Sequence, residues 1–200
     1  MSLGQHLTAF RKGNFQTSPM RDTASDTMSD VFVERILSAQ AHRHTLNFKL
    51  ANEAAQVAFG GQLGKALDYR GVIFLVGDLG TGKTTLSRGV LHSMGYEGAV
   101  KSPTYTLLEP YELVQHKVFH YDLYRLGDPE ELEFIGGRDL FSDQALHLVE
   151  WPSKGEGWLP LPDLIVQLAL ADTGRTARVH ACTDRGIQAL NFLEREATER

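Results

Sequence analysis

The octet Gly77-Asp78-Leu79-Gly80-Thr81-Gly82-Lys83-Thr84 leaves little freedom in how the chain around it folds. It fits the phosphate-loop pattern G-x-x-x-x-G-K-[ST] in full. Each residue type has a physical task. Glycines let backbone N–H groups converge on phosphate oxygens where a Cβ would obstruct them. A helix opening at the lysine presents unpaired N–H groups and the positive end of its dipole to an anion. The context meets that requirement. Val72-Ile73-Phe74-Leu75-Val76 is an apolar run that reads as a buried parallel strand. A helical pattern then follows from Lys83 to about Met94. The expected nucleotide contacts are therefore Asp78, Leu79, Gly80, Thr81, Gly82, Lys83, Thr84 and Thr85. Lys83 is expected at the β- and γ-phosphates, Thr84 on Mg²⁺ through its hydroxyl, and Thr85 at the α-phosphate.

The octet does not choose the base. GTPases add a D-x-x-G element and an N-K-x-D element after the phosphate loop. Neither occurs after Thr84, and the one D-x-x-G, Asp68 to Gly71, precedes the loop. ATP is the expected nucleotide. Direct gripping of nucleic acid is not expected, because the formal net charge is −5 and no basic run is visible. Cys182 is the single cysteine, so no internal disulfide can form; it reads as a small packed side chain in a strand pattern. No apolar run is long enough to span a bilayer, and the N-terminus lacks a signal-peptide core. These features lead to the expectation of a soluble, cytoplasmic protein.

Two regions are expected along the chain. Residues 1–43 read as a flexible N-terminal extension, with one helix over Val31–Ala41 on the spacing of Val33, Ile36 and Leu37. Met28-Ser29-Asp30 offers an alternative translation start. Residues 44–200 read as one P-loop domain. Leu46–Leu50 alternates like a strand, and Asn52 caps a helix to about Leu67, although Gly60-Gly61 inside it argues against helix. Thr106–Leu113 and Lys117–Asp122 form an antiparallel hairpin around Val114-Gln115-His116. A helix starts at Asp128-Pro129-Glu130-Glu131, and Ala145–Val149 is a further strand. After the Pro/Gly-rich stretch 152–162 come two strands, about 163–171 and 176–183, and a closing helix from about Arg185 to Glu194. The fold class is α/β: a single P-loop domain with a mixed central sheet, antiparallel at the hairpins, flanked by helices.

Three downstream elements complete the pattern: Ser102-Pro103-Thr104-Tyr105, His120-Tyr121-Asp122-Leu123-Tyr124-Arg125, and Glu150-Trp151. Their order and identity, with the phosphate loop, resemble the TsaE family (also called YjeE) over about Leu46 to Val179. This is the P-loop ATPase needed for threonylcarbamoyl-adenosine formation in bacterial tRNA. The resemblance implies that Asp122 is a Mg²⁺ carboxylate, direct or through water. It implies that Glu150 is catalytic, orienting the attacking water or holding the metal's water shell. Lys83 and Thr104 join it in the catalytic set, Thr104 as part of a switch segment sensing the γ-phosphate. Trp151 is expected to stack on adenine. Ser102 and Tyr105 carry less definite roles. Arg125 is an electrostatic aid or a surface pair, and His120 a packing or hydrogen-bonding residue.

Three function classes remain open on sequence. The first is an ATPase with low intrinsic turnover that resets a modification complex; its implied partners are TsaD and TsaB, with tRNA met only through them and no membrane involved. The alternative is a P-loop small-molecule kinase, but no arginine-rich lid is evident. The third is a binding module in which the nucleotide only stabilises a docking surface.

Overall fold

The computed structural model describes residues 7–10, 24–40, 44–134, 141 and 144–198. About half of the expected N-terminal extension (1–6, 11–23 and 41–43) lies outside the described residues. The elements in chain order are β1 (Leu7–Phe10), α1 (Ala24–Ser38), β2 (His44–Leu50), α2 (Glu53–Ala66), β3 (Gly71–Val76), α3 (Lys83–Ser93), β4 (Leu108–Glu112), β5 (Lys117–Asp122), α4 (Glu131–Phe134), β6 (Ala145–Glu150), β7 (Leu164–Leu170), β8 (Arg175–Ala181) and α5 (Asp184–Thr198). A 3₁₀ turn, Pro152–Gly155, follows β6.

The strands form one mixed sheet in the order β1-β2-β8-β7-β3-β6-β5-β4. β7, β3, β6 and β5 run parallel, while β1, β2, β8 and β4 join antiparallel. The expected α/β architecture is therefore the one found, including both hairpins. Parallel strands covered on both faces read as near-continuous apolar runs, and every residue of β3 and β6 is buried, His147 and Glu150 being the polar members of β6. Alternation along β3 divides the core. Ile73 and Leu75 face one layer with Phe59, Leu63, Leu86, Val90 and Leu190. Val72, Phe74 and Val76 face the other, with Tyr121, Leu123 and Val149.

That second layer includes Phe32, Val33 and Leu37 of α1, with the Phe32 ring 6.1 Å from Phe74. The helix expected over Val31–Ala41 thus begins and ends earlier, and its buried stripe docks on the sheet. β1 has no counterpart in the sequence reading: Leu7–Phe10 lies in a polar stretch without a sustained period, and it takes strand form by pairing with β2. Cys182 packs in the same layer as Phe74, and burial, with the Asp163 charge, pushes its thiol up to about 12.

Helix α2 begins where Asn52, in extended conformation, accepts a hydrogen bond from the Ala55 N–H at 2.9 Å. It continues through Gly60 and Gly61, which the sequence marks as helix-weakening. The reason is tertiary. α2 and α3 cross so closely that a Cβ on Gly60 would lie 2.2 Å from the Leu86 carbonyl oxygen. A Cβ on Gly89 would lie 2.1 Å from that of Val57. Backbone meets backbone, so no side-chain rotation can relieve the clash. Gly89→Val should therefore destabilise the fold by about 2 kcal/mol or more through overpacking. Urea unfolding at fixed pH measures it; an unchanged midpoint would mean that the helices do not approach this closely.

Candidate functional site

The phosphate loop leaves the C-terminal end of β3 and enters α3, the position where open α/β sheets gather ligands. Its shape depends on glycine at defined points. Gly77 has φ 140° and a Cβ there would meet the Leu168 carbonyl at 2.3 Å. Gly82, the N-cap of α3, has φ 95°. The loop is also held from outside. The Gln56 amide of α2, buried, donates to the carbonyls of Thr81 at 3.0 Å and Gly82 at 2.9 Å. Arg175, opening β8, donates to the same Thr81 carbonyl and to that of Gly80, each at 3.3 Å. Carbonyls anchored outward leave the N–H groups of those peptides to face the other way, which is what an anion cradle needs. Thr81 adds an internal brace, its hydroxyl donating to the Asp78 carbonyl at 2.8 Å.

Lys83 is buried, and its ammonium donates to the carbonyls of Gly77 at 2.5 Å and Asp78 at 2.9 Å. Burial lowers its pKa from the ordinary lysine value, against the opposing pull of Glu150, Asp122 and Asp78. Its ammonium also sits 4.0 Å above the centroid of the Trp151 ring. Trp151 takes a left-handed conformation (φ 58°) directly after β6, and its ring contacts Tyr124 at 5.0 Å. The tryptophan expected at adenine thus lies against Lys83. Thr85 accepts a hydrogen bond from Arg88 at 3.1 Å, while Leu79 is exposed at the loop tip.

Parallel pairing brings the two carboxylates to the loop. Asp122 ends β5 and Glu150 ends β6, and the two are register partners; Glu150 also pairs with Leu75 of β3. Both are buried. Glu150 Oε1 accepts from the Thr84 hydroxyl at 2.9 Å and lies 2.8 Å from His120 Nε2. Asp122 Oδ2 accepts from the Thr104 hydroxyl at 2.8 Å and from the Ser102 hydroxyl. Its Oδ1 accepts from the Tyr124 N–H at 3.0 Å. The segment preceding β4 is tied to the same point through its backbone, since the Asp122 N–H donates to the Leu107 carbonyl at 3.1 Å. Leu107 holds φ 62°, an unusual conformation for a branched residue, with its N–H bonded to the Pro103 carbonyl at 2.7 Å. Tyr105 points outward under the Arg125 guanidinium, 4.3 Å from ring centroid, so Arg125 makes a surface pair.

Among the described residues no cluster of three or more His, Cys, Asp or Glu side chains could cage a metal ion. The site instead offers two carboxylates and the hydroxyls bonded to them, Thr84 at Glu150 and Ser102 and Thr104 at Asp122, beside a phosphate cradle. That donor set suits Mg²⁺, which keeps several waters and takes one or two protein ligands plus substrate phosphates.

The family profile described as Threonylcarbamoyl adenosine biosynthesis protein TsaE matches residues 50–179. The chain belongs to the TsaE family. The tRNA threonylcarbamoyladenosine biosynthesis protein TsaE of Haemophilus influenzae is 50% identical over 115 residues, covering 58% of this chain and 73% of the relative. The protein of the same description from Borreliella burgdorferi is 32% identical over 137 residues, 68% of this chain and 98% of the relative. Among solved structures, Bacillus subtilis YdiB superposes with a TM-score of 0.61 at 27% identity, covering 78% of this chain and 99% of that one.

In this TsaE-family protein the structure brings together Lys83, Thr84, Thr104, Asp122, Glu150 and Trp151, which are scattered over the sequence. Gln56 and Arg175 join them without any mark in the sequence. Neither lies in a motif, and a glutamine inside a helix or an arginine after a turn carries no local signal. Their role is testable through the loop they hold. Gln56→Met keeps the side chain's length and removes both donated bonds. It should weaken MgATP binding about tenfold, the order of one to two net hydrogen bonds, and lower the melting temperature by about 2 to 4 °C for each kcal/mol those bonds supply. Titration calorimetry reads this; unchanged affinity would show that the loop holds its shape without Gln56.

Proposed function

We propose that this TsaE-family protein is a magnesium-dependent ATPase serving threonylcarbamoyl-adenosine modification of tRNA in the cytoplasm. It acts on a TsaB–TsaD complex rather than on the tRNA chemistry itself. The observation that carries the reading is the convergence of Thr84, Asp122 and Glu150 at one level of the sheet, directly beside the phosphate loop. A cradle alone would serve binding. A cradle with two buried carboxylates also has the means for hydrolysis. The family to which the chain belongs supports the biological assignment.

Within this reading the loop N–H groups and Lys83 hold the β- and γ-phosphates. Thr84 and Asp122 would hold Mg²⁺, with the Glu150 carboxylate beside them. The ion, when bound, neutralises charge on the phosphate oxygens. Glu150 orients the attacking water and takes its proton at Oε2, the oxygen not engaged by Thr84 and His120. Ser102 and Thr104, hydrogen-bonded to Asp122, link the segment preceding β4 to the metal carboxylate. That segment serves as the switch, since a change at Asp122 alters what holds it. Trp151 borders the nucleotide from the β6 side, as a ring platform for the base or a cover for Lys83. Among the described residues no helix is long and apolar enough to cross a membrane.

Phosphate release from MgATP should be slow for the protein alone and rise about tenfold or more with TsaB and TsaD, as expected where a partner completes the site. Glu150→Gln should abolish turnover while preserving MgATP binding, and Asp122→Asn should weaken the magnesium dependence of binding. Turnover undiminished in Glu150→Gln, or phosphate appearing only on an added small-molecule acceptor, would overturn the reading.

A further inference from the structure

His120 lies on β5 two residues before Asp122, with its side chain wholly buried. Its Nε2 is 2.8 Å from Glu150 Oε1. Its Nδ1 is buried and has no hydrogen-bond partner among the described residues. That asymmetry determines where the ring proton sits. A proton on Nδ1 would be a buried donor with nothing to bond, whereas a proton on Nε2 points at a carboxylate. A fully buried polar ring with one end unsatisfied is a poor choice for packing alone; an apolar side chain would fill the place without the desolvation cost. Among the described residues, its one hydrogen bond is to Glu150.

Glu150 Oε1 is thus approached from two elements, by Thr84 of α3 and His120 of β5. The Thr84 hydroxyl is also the group assigned to magnesium. Its lone pairs would serve the ion while its proton stays on Glu150, so that bond belongs to a group with two duties. His120 has no competing assignment.

We propose that His120 is a positioning residue for Glu150. Its Nε2–H fixes the carboxylate by Oε1, so that Oε2 stays turned to the reacting water. The proposal rests on the reading of Glu150 as the water-orienting group. It requires a donor at this position, not merely a side chain that fills the space.

The test uses two substitutions of like length, only one of which keeps a donor. His120→Gln retains an N–H near the position of Nε2; His120→Met does not, and its flexible thioether packs readily in a core. Phosphate release with TsaB and TsaD present, MgATP affinity and melting temperature are measured for both, beside Glu150→Gln. His120→Met should lose about 10- to 100-fold in kcat, the scale of a misplaced catalytic group, with affinity within about twofold. His120→Gln should recover most of the loss. Equal kcat for the two variants would overturn the proposal, because donor and non-donor would then be equivalent. If Glu150→Gln itself turns over like the parent, the reading of Glu150 fails first. If Glu150→Gln is inactive and His120→Met is not, only the role of His120 fails. Should His120→Met not fold, ¹⁵N NMR of the parent chain decides. A ring proton on Nε2 whose signal shifts in Glu150→Gln supports the bond, and a proton on Nδ1 overturns it.

Discussion

Parallel hydrogen bonding of β3, β6 and β5 in one register is the constraint from which the site follows. Because Leu75 pairs with Glu150 and Glu150 with Asp122, three strands end at the same level. The phosphate loop springs from the first, and a carboxylate closes each of the other two. A slip of one residue would turn Asp122 and Glu150 to the opposite face, since successive side chains point to alternate sides. The apolar alternation of β3 resists that slip. Its Ile73 and Leu75 belong to one core layer and Phe74 to the other, and neither layer tolerates exchange with a charged group.

The second requirement is a phosphate loop with a fixed shape, and the structure meets it by packing α2 onto α3. Glycines at 60 and 89 let the helices approach to backbone contact. That approach places Gln56 against the Thr81 and Gly82 carbonyls. The same contact that buries Phe59 and Leu63 therefore sets the direction of the loop's peptides. Stability and binding are coupled here: loosening the helix pair would be felt in the cradle. On the other face, α1 closes the second layer through Phe32, Val33 and Leu37.

Much of this architecture is legible in the amino-acid sequence. The phosphate loop can be read because its chemistry is local: eight consecutive residues supply the glycines, the lysine and the hydroxyl. The β4–β5 hairpin, the Asn52 cap and the β7–β8 pair are equally readable, since turn chemistry and alternation act over a few residues. β1 is not, because its stretch has no period of its own and takes strand form by pairing with β2. Gly60 and Gly61 read as helix-weakening because propensity cannot see a neighbouring helix. Of the site, Asp122, Glu150 and Trp151 stand out through family resemblance, while Gln56, Arg175 and the bond from His120 to Glu150 do not.

By itself, the sequence determined the class of fold, the ligand chemistry of the loop and the family. Each depends on residue types at short, fixed spacings, which backbone geometry converts directly into shape. Only the tertiary structure decided which carboxylate oxygen meets which hydroxyl, that Trp151 lies over Lys83, and that a buried histidine lies 2.8 Å from Glu150. Those contacts join β5, β6 and the loop across a sequence separation as large as that from Lys83 to Trp151. They exist because strand register and helix crossing bring distant residues within about 3 to 4 Å, and no local pattern encodes that distance.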